Sequence, residues 1–322
     1  MQDFDPAALD CLAALVDEGS FERAAARLSI TQSAVSQRLR GLEQQVGQLL
    51  VVRARPLRLT EPGKVLLRFA RQWQALRADV ARELEESATP DERLPIAVNA
   101  DSLATWVLPA LDPLVQQGVS LELVVDDQDF THDWLRQGAV LGCVSTVPQA
   151  LRGCRVVPLG VMRYVAVASP AFVARELPQG LTRANFARVP FLVFNRKDDM
   201  QSQWVGRAFG LPSPRLRDRY VPSSEAYLRA VRMGWGIGVV PELQACDWLD
   251  SGELLPLHPE VHLEVALHWH QWKLGSEQRP QARAALLDRI GDALLQGASR
   301  ALAAPSSPQP GPAEEGSDEK DL

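Results

Sequence analysis

The sequence predicts an α+β chain of several domains: a helical N-terminal unit, one long helix, and an α/β unit that fills the remainder. Three observations predict it. Short apolar stripes at helical spacing, separated by cap residues, fill the first 60 or so positions. A single stripe then continues unbroken from Leu66 to Leu84. From about Leu94 onward, strand-like runs alternate with helical ones, which is the pattern of α/β layers.

The first helix runs from Pro6 to Glu18, with Leu9, Leu12, Ala13 and Val16 on one face. Gly19 ends it, and Ser20 caps a second helix that turns Phe21, Ala24, Ala25 and Leu28 inward. After a short turn at Ser29-Ile30, Thr31 caps a third helix to about Gln45, buried along Val35, Leu39, Leu42 and Val46. Arg53, Arg55 and Arg58 fall on a hairpin around Pro56. Helix, helix, tight turn, helix and hairpin make a winged helix-turn-helix, assigned to residues 1–61.

Pro62 suits a first helical turn and opens a fourth helix to about Glu86. Its stripe near a 3.5-residue period predicts a seam between helices of two chains, formed by Leu66, Phe69, Trp73, Leu76 and Val80. Docking of this helix on its own domain is the alternative. Ser87 to Pro95 is polar with two prolines and reads as a hinge, so 62–91 is assigned as linker helix and hinge.

Strands are predicted at Leu94–Asn99, Leu121–Asp126, Val140–Ser145, Tyr164–Ala168, Phe191–Phe194, Ile237–Val240 and Val261–Trp269, with helices at Leu103–Val115, Ser224–Met233 and Gln281–Leu295. The segment 303–322 has four Pro and five acidic residues. It holds too little apolar surface to fold and reads as a disordered acidic tail.

Composition excludes several classes. No stretch of about 20 apolar residues is available to span a membrane, and Asp3, Asp5 and Asp10 spoil any signal-peptide pattern, so a cytoplasmic location is expected. Cys11, Cys143, Cys154 and Cys246 are scattered without metal-ligand spacing, as expected of reduced thiols. His268 and His270 share one face of a strand but lack third and fourth ligands, so no metal and no cofactor are expected. No catalytic triad, P-loop or dinucleotide fingerprint stands out, and no enzyme activity is expected.

The net charge of −6 argues at first against nucleic acid, but the distribution reverses that. Between Ser20 and Thr60 there are seven Arg against Glu22 and Glu43 alone, and local charge decides which surface meets phosphate. On the third helix the buried stripe leaves Ser33, Gln37 and Arg40 on the far side, flanked by Gln32 and Ser36. Gln pairs with adenine, Arg with guanine and Ser with either, so this helix is the candidate reader of the major groove. Thr31, Arg38, Arg53 and Arg55 complete the candidate DNA set.

This stretch resembles the LysR-type transcriptional regulators. The matching residues are Phe21-x-x-Ala24-Ala25-x-x-Leu28, Gln32-Ser33-Ala34-Val35-Ser36, Leu42-Glu43, and Arg53 before Leu59-Thr60-x-x-Gly63. The resemblance implies that Gln32, Ser33, Ser36 and Gln37 reach bases and that Arg53 enters the minor groove. It also implies a homodimer or homotetramer joined through the linker helix, with operator DNA, a small-molecule effector and RNA polymerase as partners. The remainder is then expected to be a periplasmic-binding-protein-like effector domain, 92–302. Its two subdomains, 92–161 with 268–302 and 162–267, would pinch the ligand.

Within that domain Val98-Asn99-Ala100-Asp101-Ser102-Leu103-Ala104-Thr105-Trp106, Asp198-Asp199-Met200 and Ser223-Ser224-Glu225-Ala226 look like the arginine- and lysine-responsive branch, whose members control export of basic amino acids. Trp235-Gly236-Ile237-Gly238 departs from it. A basic amino acid needs carboxylates for its two cations and donors for its own carboxylate. Asp101 and Ser102 follow a strand end, where such clefts open. Asp198, Asp199, Ser223, Ser224 and Glu225 belong to the opposite half, and Ser145 and Thr146 end the strand expected to cross between the subdomains. Two alternatives stand beside this reading. One is a regulator of the same family sensing another metabolite through Arg163, Arg196 or Lys197. The other is a chromosome-architectural or replication-origin-binding protein using the same DNA head.

Overall fold

The computed structural model describes residues 4–52, 54, 57–84, 94–126, 131–136, 138–273 and 282–304, with backbone alone at 75, 76, 78–84, 126, 282 and 283. The wing residues Arg53 and Arg55, the hinge 85–93 and the tail from 305 lie outside them.

The N-terminal unit follows its cap residues closely. Helix α1 spans Pro6–Glu18: the Asp5 carboxylate accepts from Ala7 N at 3.1 Å, and Gly19 closes it at φ 64°. Ser20 and Thr31 cap α2 (Phe21–Arg27) and α3 (Gln32–Val46), each accepting the amide N–H three residues on. Each such cap is worth about 1 kcal/mol to its helix. Ser29 takes the left-handed backbone, φ 53°, that the tight α2–α3 turn requires. Leu9, Leu12, Leu15, Leu39 and Leu42 close the core beneath. The wing is the antiparallel pair β1 (Val51–Val52) and β2 (Arg58–Leu59).

Helix α4, Glu61–Leu84, leaves this unit along α1. Arg71 pairs with Asp17, and Gln74 and Arg77 both reach Asp10 at 2.8 Å. The side of α4 facing α1 carries Leu66, Leu67 and Ala70, all buried, and Trp73 packs against the same core. The predicted interchain seam therefore mixes two faces. Leu66 and Trp73 are occupied within their own domain, whereas Val65 (56% exposed) and Phe69 (44% exposed) look outward. The cause is the angle between them: three residues along a helix rotate by about 300°, enough to separate an inner from an outer stripe. The side chains of Leu76 and Val80 lie outside those described.

The effector domain is built on β3 (Leu94–Asn99), which leads into α5 (Ala100–Ser102), a π-helical turn at Leu103–Val107, and α6 (Leu108–Gln116). Next come β4 (Leu121–Asp126), α7 (Thr131–Arg136) and β5 (Gly142–Ser145). The long strand β6 (Cys154–Ala168) precedes α8 (Pro170–Glu176), β7 (Pro190–Val193), α9 (Met200–Phe209) and β8 (Arg217–Tyr220). Then follow α10 (Ser224–Arg232), β9 (Gly238–Pro241), α11 (Glu242–Asp250), the second long strand β10 (Leu255–Trp272) and α12 (Ala282–Ala301).

One sheet runs in the order β4-β3-β5-β10-β6-β9; β7 and β8 pair separately and touch it through a Phe191–Ile237 bridge. Strands β3, β4 and β5 are mutually parallel, as crossover helices demand, whereas β6 and β10 run antiparallel through both halves. They are the two crossover strands; β5, the strand ending at Ser145 that the sequence suggests as a crossover, is instead a four-residue strand held between β3 and β10. The register of β6 on β10 shifts between Leu267 and His268, opposite Gly160, close to where the sequence divides the subdomains. Gly160 sits at φ 141°, and a Cβ there would lie 2.9 Å from Leu302 and 3.0 Å from Ala303 O, so the bend and the return of the chain after α12 both need glycine.

Candidate DNA-reading surface and ligand cavity

The far side of α3 is presented as the helical wheel requires. Val35, Leu39 and Leu42 are buried, while Thr31, Gln32, Ser33, Gln37 and Arg40 are exposed and Ser36 is half-buried. Arg38 departs from the group: it is half-buried, and its guanidinium lies 3.9 Å from the Cys11 sulfur on α1. Burial pushes the Cys11 thiol up, against the lowering pull of Arg38. The remaining base-edge candidates thus form one polar, cation-bearing face at the start of α3, unobstructed by the wing strands described.

A cavity of about 60 Å³ opens where β3, β6, α9, α10 and α11 meet. Asp101 occupies its centre, one residue past the start of α5. Its carboxylate accepts from the Tyr164 hydroxyl at 2.8 Å and from the Ser224 hydroxyl at 2.7 Å. Those donors stand on the crossover strand β6 and on α10 of the opposite half, so one carboxylate joins the two halves. The π-helical turn follows directly, and the Thr105 hydroxyl donates to the Asp101 carbonyl at 2.6 Å. Such widened turns gather at functional sites because they redirect a side chain without ending the helix.

Asp198 faces the cavity from the loop before α9. It accepts from Phe194 N at 2.8 Å, Met200 N at 3.1 Å and Gln201 Nε2 at 3.0 Å. Gln201 is also 3.1 Å from the Tyr227 hydroxyl, which donates to Leu192 O at 2.7 Å and accepts from Val239 N at 3.2 Å. Burial, and then the Asp198 charge, raise the Tyr227 hydroxyl far above its ordinary range. Tyr227 is thus a neutral, fully committed support for the wall that carries Asp198. Among the described residues, no Lys, Arg or His lines the cavity. Two carboxylates without a lining cation make a place for a positively charged ligand, because charge-assisted hydrogen bonds strengthen where water is excluded.

Asp101, Asp198 and Ser224 are thus brought together, and the other sequence candidates are not. Ser102 is fully buried, its hydroxyl without a partner. Ser145 is buried and accepts from Val147 N at 3.2 Å; Thr146 is half-buried and does not line the cavity. Asp199 is exposed and binds Gln203 at 2.7 Å; Ser223 is the exposed cap of α10. Glu225 is also exposed, in the first turn of α10, where a carboxylate favours the positive end of the helix dipole. It is absent from the cavity because the residue after Ser224 is turned about 100° around the helix.

Sequence reasoning missed Asn99, Tyr164, Gln201, Tyr227 and Gln244, all of which line the cavity. Asn99 lay inside the block that drew attention to Asp101. Tyr164 and Gln244 carry no local signal, since only the crossover strands bring them there.

His132 on α7 and His268 and His270 on β10 lie apart from this site, by the β5–β10 pair in the middle of the sheet. The His132 and His270 rings are 5.0 Å apart, and His270 Nε2 is 2.7 Å from Val147 O. Burial lowers all three, His270 to about 4. Among the described residues no group of three or more His, Cys, Asp or Glu is placed to hold a metal ion.

Residues 6–64 match the bacterial regulatory helix-turn-helix proteins of the lysR family, and residues 87–292 match the LysR substrate binding domain. The chain belongs to the LysR family. It is a LysR-type transcriptional regulator with a helix-turn-helix DNA-binding domain and an effector-binding domain. Among curated LysR-type relatives, the transcriptional regulator ArgP of Aeromonas salmonicida is 46% identical over 280 residues, covering 85% of this chain and 92% of the relative. The crystal structure of ArgP from Mycobacterium tuberculosis superposes with a TM-score of 0.81 at 41% identity, over 94% of this chain and 100% of the other. Full-length LysG from Corynebacterium glutamicum, solved with bound effector Arg, superposes at 0.70 with 37% identity, over 93% and 99%. No helix among the described residues is long and apolar enough to cross a membrane.

Proposed function

We propose that this LysR-type regulator senses a basic amino acid, arginine or lysine, in the cavity between the two halves of its effector domain and controls transcription of an amino-acid exporter gene. The observation that carries the reading is the pair Asp101 and Asp198 in a cavity whose described lining holds no basic side chain. The bound Arg in the LysG structure supports it. The alternative, an acidic or aromatic metabolite, finds no cation to receive it among the described lining residues. Arg163 is drawn to Glu242 at 3.4 Å, and Arg196 and Lys197 are exposed outside the cavity. On the DNA side, Gln32, Ser33, Ser36, Gln37 and Arg40 read base edges, with Arg53 and Arg55 as wing contacts. The outer face of α4 joins two copies, and RNA polymerase is the partner that reads the outcome.

Effector binding acts by preferring one arrangement of the two halves, since a ligand shifts an equilibrium only by its difference in affinity for the two states. A thermal-shift screen of the full-length protein tests the reading. Binding to the folded state raises the unfolding midpoint by mass action. Arginine or lysine is expected to raise it, and glutamate, benzoate and neutral amino acids are not. A midpoint raised by an acidic metabolite and by neither basic amino acid contradicts the assignment.

A further inference from the structure

We infer that Gln244 receives the α-carboxylate of the effector and thereby makes the site selective for amino acids over the corresponding amines. The inference rests on the basic-amino-acid reading above and adds the residue that recognises the ligand's one negative group.

A zwitterionic ligand brings a carboxylate into a cavity that already holds Asp101 and Asp198, so it needs a dedicated N–H or O–H donor. Several side-chain and backbone donors on the cavity wall are committed. The hydroxyls of Tyr164 and Ser224 donate to Asp101, and that of Tyr227 donates to Leu192 O. The Gln201 amide serves Asp198 and Tyr227. Among backbone donors, Phe194 N and Met200 N serve Asp198, Val239 N serves Tyr227, and Pro241 has no N–H. Asn99, 2% exposed, also lines the cavity with its Oδ1 unpartnered, but it ends the strand that leads into Asp101 and no contact places it at Ser224.

Gln244 differs. It stands half-buried on α11, and its side-chain oxygen lies 3.3 Å from the Ser224 hydroxyl. Ser224 has one proton, and it goes to the shorter contact with Asp101. A carboxamide has two N–H bonds. Whichever way the Gln244 amide is turned toward Ser224, at least one of them is left for a ligand.

The placement also matches the ligand's own geometry. Asp101 and Gln244 both lie within hydrogen-bond reach of the same atom, Ser224 Oγ. The groups they hold must then be close neighbours, as an α-ammonium and an α-carboxylate are. Asp198, across the cavity, is left for the side-chain cation. Discrimination of this kind is strong because the analogue lacking the carboxylate leaves the site's donor unpaired.

The test compares arginine with agmatine, its decarboxylated analogue, by titration calorimetry on the full-length protein. Wild type is expected to bind arginine more tightly. In Gln244→Leu, arginine should weaken about tenfold, the value of one charge-assisted hydrogen bond, while agmatine is unchanged. In Gln244→Glu a carboxylate opposes the ligand's own, and the preference should invert toward agmatine. Unfolding midpoints of both variants show whether the fold is intact. An arginine-to-agmatine ratio equal to wild type in both variants, or an equal loss for both ligands, overturns the role of Gln244 while leaving the basic-amino-acid reading intact. A wild-type protein that binds neither ligand overturns both.

Discussion

Asp101 and Glu225 show how much one residue's direction matters. Both are carboxylates near the start of a helix, both stand in blocks that resemble the basic-amino-acid branch, and sequence offers no ground to separate them. In the fold Asp101 is held by Tyr164 and Ser224 inside the cavity, while Glu225 is exposed. Asp101→Asn keeps the shape and removes the charge, so arginine affinity should fall ten- to a hundredfold, the range of a charge-assisted hydrogen bond of about 1.5–3 kcal/mol. Glu225→Gln should leave it unchanged, and calorimetry on the two variants gives the comparison. A second residue-level prediction concerns pH. Burial holds His270 down to about 4, below the 6.5 of an exposed imidazole, and His268 and His132 are lowered for the same reason. The unfolded chain therefore binds more protons than the fold between those two values. Stability is complete above pH 6.5 and is lost as pH falls from there toward 4. Unfolding midpoints measured across that range should drop, and should drop less in His270→Gln.

At the scale of elements, the sequence is most legible where a cap and a stripe coincide. Helices α1, α2 and α3, with the caps Ser20 and Thr31, and strands β3 and β4 stand where spacing puts them. Short helices without a long stripe were not legible: α7, α8, α9 and α11 each span ten residues or fewer, too few to separate helical from other periodicity. The crossover strands are legible only in part: the segments 154–163 of β6 and 255–260 of β10 mix buried, half-buried and exposed positions without a clean period of two. Helix α4 is the instructive case. Its apolar residues were visible, but periodicity alone could not say which met α1 and which looked outward. The structure divides them, and the two faces should respond differently. Val65→Glu puts a charge on the outer face and should dissociate the oligomer in light scattering without lowering the unfolding midpoint of the DNA-binding unit, whereas Phe69→Glu also removes a ring contact with Phe4. Leu66→Ala opens a cavity in the inner core and should cost that unit about 2–5 kcal/mol while leaving the oligomer intact.

Across the whole molecule, the DNA-reading face and the effector cavity sit on different units and are specified differently. The DNA head is a contiguous run of sequence, so its residues could be read in order. The cavity is assembled by β6 and β10 from segments more than a hundred residues apart, and Asp101–Ser224 is a pairing that only the folded chain displays. Asp101 is legible beside a helix start and Asp198 just past a strand end, both in blocks that resemble the basic-amino-acid branch; the tyrosines and glutamines around them carry no such signal. The central claim is that this cavity selects its effector by positive charge. The most direct measurement is calorimetric titration of the full-length protein with arginine and with citrulline, which keeps arginine's shape but is neutral at the end of the side chain. Arginine is expected to bind at least tenfold more tightly, since citrulline forfeits one charge-assisted contact with a cavity carboxylate. Equal affinity for the two, or tighter binding of citrulline, would contradict the claim.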